Sequence, residues 1–127
     1  MFRVIIAGGR DFNDYSLLQQ HVDRWLSRVT DEVTIISGRA KGADTLGERY
    51  ANERGYLTCV YPADWDSHGK AAGFIRNKEM AKNADALIAF WDGQSTGTRD
   101  MIELAKQYGL LWKVVYYNAT ENQEKRY

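Results

Sequence analysis

The chain predicts a three-layer α/β sandwich: a five-stranded, mainly parallel sheet with helices on both faces. Three observations carry this. Short apolar runs of strand length alternate with segments of helical period along the chain. No repeat, linker or second composition class interrupts them, so one domain spans residues 1–117, with a polar tail at 118–127. The glycine-bearing loops all follow strands, which puts them on the carboxyl edge of a parallel sheet, where such folds hold ligands.

The first strand is residues 2–7, apolar and β-branched, broken by Gly8-Gly9-Arg10-Asp11-Phe12. Asn13 or Asp14 caps a helix in which Leu18, Val22, Trp25, Leu26 and Val29 recur at helical spacing. A second strand, 33–36, runs into the second glycine-rich loop, Ser37-Gly38-Arg39-Ala40-Lys41-Gly42. Ala43, Leu46, Gly47, Tyr50 and Ala51 line the next helix, and Gly55 is its C-cap. Residues 57–61 form the third strand, and Cys59 within it reads as a buried, inert thiol of a reducing compartment. An irregular stretch, 63–70, leads to a third helix ending near Asn83. The fourth strand, 86–91, empties through 92–98 into a fourth helix stopped by Gly109, and a fifth strand covers 111–117.

Seventeen basic and seventeen acidic residues cancel, which argues against stable nucleic-acid binding. No apolar run reaches membrane-spanning length, so a cytoplasmic protein without a membrane partner is expected. His21 and His68 lack Cys or Asp at metal-ligand spacing, and neither a metal nor a cofactor is expected.

The candidate ligand rim comes from the three loops. Gly8 and Gly9 let a ligand approach the backbone, and Arg10 either clamps a phosphate or pairs with Asp11. Arg39 and Lys41 flank a helix N-terminus, where anions are favoured. Asp44, in the first turn of that helix, either offsets its dipole or accepts ribose hydroxyls. Gly73, Asn77, Met80, Ala81 and Ala84 share one helical face, so Asn77 needs polar partners if buried, with Arg76 at the edge of that face. Trp65 either stacks on a base or packs over the sheet edge. The loop Asp92-Gly93-Gln94-Ser95-Thr96-Gly97-Thr98 is the third wall, and Asp100 beside it favours contact with sugar hydroxyls over a bare phosphate.

These segments, with Pro62-Ala63-Asp64-Trp65 and residues 69–77, resemble the YspA, YpsA-related branch of the SLOG superfamily. The resemblance implies a Rossmann-like fold whose strand-end loops bind a nucleotide, a cyclic nucleotide or an ADP-ribose-type signal. Members of this branch occur in bacteria and phages, and some SLOG domains sense nucleotide signals in defence systems. The related LOG phosphoribohydrolases cleave the N-glycosidic bond of nucleoside monophosphates. Their Arg-Lys-x-x-Met segment is mirrored by Arg76-Asn77-Lys78-Glu79-Met80, and their Pro-Gly-Gly-x-Gly-Thr-x-x-Glu loop is echoed by residues 92–101. Met101 holds the position of the catalytic glutamate. The resemblance therefore implies ligand binding for sensing or sequestration. The alternative is a hydrolase with Arg76 as electrostatic stabiliser and Asp100 or Glu103 as substitute carboxylate. Four tryptophans and eight tyrosines, together with the dimers usual among LOG proteins, predict a homodimer or higher homo-oligomer.

Overall fold

The structure is a computed structural model that describes residues 1–117; the tail proposed for 118–127 lies outside the described residues. In chain order the elements are β1 (Phe2–Gly8), α1 (Tyr15–Leu26), β2 (Val33–Ser37), α2 (Ala43–Arg54), β3 (Leu57–Val60), α3 (Trp65–His68), α4 (Ala72–Lys82), β4 (Ala86–Trp91), α5 (Thr96–Gln107) and β5 (Leu111–Tyr116). All five strands pair in parallel, in the order β3-β2-β1-β4-β5. The Rossmann-like, three-layer sandwich is therefore the observed fold.

The neighbouring interior strands β1 and β4 are buried on both faces, which is why they read as unbroken apolar runs rather than alternating ones. Val4, Ile6, Ile88 and Phe90 pack beneath α1 and α2, while Ile5, Leu87 and Ala89 pack beneath α4 and α5. The Asp14 carboxylate caps α1 by accepting the Leu17 N–H at 3.0 Å. Gly55 closes α2 in the left-handed conformation.

Three sequence expectations change. Cys59 is exposed, because β3 is an edge strand and α2 packs against it without a counterpart on the far side. The irregular stretch before α4 holds the helical turn α3, capped by Asp64 accepting the Ser67 N–H at 3.1 Å, and a 3-10 turn at Gly69–Ala71. Thr96, Gly97 and Thr98 belong to the first turn of α5 rather than to the loop. The Asp92 carboxylate accepts the N–H groups of Gln94 and Ser95, both at 2.8 Å, and so winds the chain into the helix early. Trp65, Trp112 and Tyr116 stand exposed, the last two on the other edge strand.

The chain builds from β1 outward to β3, then returns to β4 on the opposite side of β1. The loops leaving β1 and β4 therefore diverge, and a crevice opens between them at their carboxyl ends. On the other side of the loop after β1 is a tight junction with the start of α2. The Gly9 carbonyl accepts the Ala43 N–H at 3.2 Å, and Gly42 lies against it at φ 78, where a Cβ would stand 2.2 Å from that carbonyl oxygen. Gly42→Ala is expected to lower the unfolding free energy by more than about 1 kcal/mol. A urea midpoint equal to that of the wild type would contradict this.

Candidate functional site

Helix α4 crosses beneath the crevice, and two adjacent residues on it tie the flanking loops. The Arg76 guanidinium donates through Nη1 to the Gly38 carbonyl in a short contact, and through Nε to Asn77 Oδ1 at 3.0 Å. The approach is so close that a Cβ on Gly38 would fall 2.6 Å from Nη1. Asn77, 7% exposed, donates through Nδ2 to the Gly97 carbonyl at 3.3 Å and to Asp100 at 3.0 Å. The buried amide expected to need partners has three, and they connect the loop after β2 with the first turn of α5.

The loop after β2 is held from within. Ser37, fully buried, donates to Glu48 at 2.6 Å and accepts the Arg39 N–H at 3.0 Å. Arg39 then reaches Glu48 at 3.2 Å while its backbone sits at φ 56, a conformation that costs a non-glycine residue about 1–3 kcal/mol. Asp44, 5% exposed, accepts the Ala40 N–H at 3.2 Å. Burial pushes its carboxyl up to about 6, while the Ala40 and Gly38 amides and the Arg76 charge pull the other way. Burial lowers Arg76 from the usual arginine value, with Asp44 opposing and Arg10 adding to the effect.

Two cavities open above this framework. One, of about 600 Å³, brings together Arg10, Gly38, Arg39, Lys41, Trp65 and Arg76, with Ala40, Pro62 and Ala63. The other, of about 470 Å³, is lined by Gly9, Arg10, Asp11, Trp65, Asn77, Asp92, Ser95, Thr96 and Gly97, with Lys70, Gly73 and Phe74. Arg10 and Trp65 border both and form the ridge between them. Arg10 makes no ion pair with Asp11 among the described residues. Asp11 instead accepts the Tyr117 hydroxyl at 2.6 Å, which raises the tyrosine's pKa on top of its burial.

The other candidates lie apart from the two cavities. Phe12 is a core residue, 2% exposed, its ring stacked on Phe90 at 4.8 Å between centroids. Ser37, Gly42 and Gly93 shape loops, and Gly8, Asp44 and Thr98 border only a narrow cleft of about 80 Å³. Met101, 1% exposed, packs in the core beneath α4 and α5 and borders the same narrow cleft. Asp100 and Glu103 line neither cavity. Sequence reasoning missed Lys70 and Phe74, which continue the helical stripe of Gly73 and Asn77. It also missed Glu48, one turn after Asp44 on α2. Among the described residues no three His, Cys, Asp or Glu side chains gather as a metal site, and no helix is long and apolar enough to cross a membrane.

The profile of the YspA, cpYpsA-related SLOG family matches residues 2–68. The Gene 61 protein of Mycobacterium phage D29 is 34% identical over 116 residues, covering 87% of this chain and 93% of the phage protein. The X-ray structure of TM1055 superposes with a TM-score of 0.63 at 18% identity, over 88% of this chain and 72% of that one, and so shares the fold.

The Asp44 carboxyl has a pH signature. Its folded pKa lies above the unfolded value near 3.9, so its favourable contribution is complete below about pH 4 and is lost as pH rises through 6. Between pH 4 and pH 7, Asp44→Asn should gain up to about 3 kcal/mol on the wild type. Urea unfolding across that range checks it, and a constant gap between the two proteins would contradict it.

Proposed function

From the premise that this chain belongs to the YspA, cpYpsA-related SLOG family, we propose that it binds a nucleotide-derived small molecule at the carboxyl edge of the sheet, in the two cavities above α4, for sensing or sequestration. The observation that carries this reading is the ridge of Arg10 and Trp65, which serves two cavities of different chemistry at the topological switch point. A guanidinium suits a phosphate, and an indole half exposed to solvent suits a base. The carboxylates and hydroxyls of the second cavity suit a ribose.

We propose binding without turnover. A phosphoribohydrolase needs a free carboxylate at the sugar; in the second cavity Asp11 accepts the Tyr117 hydroxyl and Asp92 the amides of its own loop, and the two that the resemblance offers are engaged elsewhere. Asp100 accepts from Asn77 within the scaffold, and Glu103 is exposed on α5 outside the cavities.

Thermal unfolding across nucleoside mono- and diphosphates tests the reading. A ligand at a hundredfold its Kd adds about 2.7 kcal/mol, a rise of several degrees that saturates with concentration. Trp65→Ala should abolish the rise, and chromatography of the mixtures should show no free base. Melting that is flat across the panel, or base released at enzymatic rates, would contradict the proposal.

A further inference from the structure

The two cavities differ in charge. Four cations face the larger one, and two of them are already matched. Arg39 pairs with Glu48 at 3.2 Å, and the Arg76 guanidinium donates to the Gly38 carbonyl and to Asn77. Arg10 and Lys41 have no ion-pair partner among the described residues, which leaves the cavity with two positive charges to offer. The smaller cavity sets the carboxylates of Asp11 and Asp92 against Lys70 and the shared Arg10, so its charges cancel. Its loop amides at Gln94 and Ser95 already donate to Asp92. What this cavity has instead is an apolar wall. Phe74, 48% exposed, lines it alone, and Trp65 lines it from the ridge.

Building on the nucleotide reading, we propose that the ligand is a nucleoside diphosphate or an ester of one, bound in a single direction across the ridge. Its diphosphate lies in the larger cavity against Arg10 and Lys41, on the loop after β2, and its nucleoside lies in the smaller cavity against Phe74. The phosphate seat is thus the loop after β2 and not the glycine-bearing turn that opens α5. Arg10 and Lys41 stand on different loops, so a diphosphate can give each its own phosphoryl group where a monophosphate has one to share, and the balanced charges of the smaller cavity draw neither. The nucleoside presents hydroxyls and an aromatic face, which are the groups that cavity can receive.

Calorimetric titration with ADP, AMP and adenosine tests the direction, using two exposed positions where a glutamate leaves the core untouched. Lys41→Glu should weaken ADP binding about tenfold or more, by removing one charge-assisted contact and adding repulsion. Thr96→Glu should change it less than about threefold, because solvent screens the greater separation. ADP should bind the wild type more tightly than AMP, and that preference should shrink in Lys41→Glu. Phe74→Ala should weaken ADP and adenosine by the same factor. Greater loss in Thr96→Glu, equal losses in the two glutamate variants, or equal affinity for ADP and AMP would each overturn the direction while leaving the nucleotide reading in place. No binding of any of the three to the wild type would overturn both.

Discussion

The site depends on one contact pair: adjacent residues of α4 that hold loops from two different strands. Arg76 fixes the Gly38 carbonyl of the loop after β2, and Asn77 fixes the Gly97 carbonyl at the start of α5. The Arg76 Nε to Asn77 hydrogen bond at 3.0 Å joins the two anchors into one unit. A parallel sheet with a strand-order reversal opens a crevice in any case. What this chain adds is a rigid crosspiece beneath it, so that both walls keep a fixed separation. Buried polar groups cost stability unless paired, and here each buried donor finds an acceptor in the loop it positions.

The same arrangement explains the electrostatics of the rim. Asp44 lies inside the loop after β2, facing Arg76, and its oxygen organises the amides of that loop. Glu48 gathers Ser37 and Arg39 from the next turn of α2. Together they consume two of the four cations near the larger cavity, fix Arg39 in a left-handed backbone, and leave Arg10 and Lys41 facing the open space. Carboxylates on the protein side of the wall thus set how much positive charge remains on the solvent side.

Much of this was legible in the sequence, for stated physical reasons. Strand and helix alternation gave the layers, because burial on both sheet faces leaves unbroken apolar runs at β1 and β4. Asn77 stood out because a carboxamide on an apolar helical face must find partners. Other features were hidden because they depend on which strands become neighbours. Cys59 sits in a run as apolar as a buried strand, yet its strand is at the sheet edge. Phe12 follows a glycine pair that points to the rim, and only the packing of Phe90 and Tyr117 places its ring in the core. Tyr117 meets Asp11 across 106 positions of sequence, a separation no local pattern reports. Asp92 looked like a ligand group, and its first task is to turn its own loop.

Native mass spectrometry of the purified protein, mixed with a pool of nucleotides, should show one nucleotide per chain for the wild type. That complex should be lost in folded Arg76→Ala and Asn77→Ala variants alike, since each frees one wall of the site. A wild-type spectrum with the bare chain alone, or nucleotide retained in both variants, would contradict this.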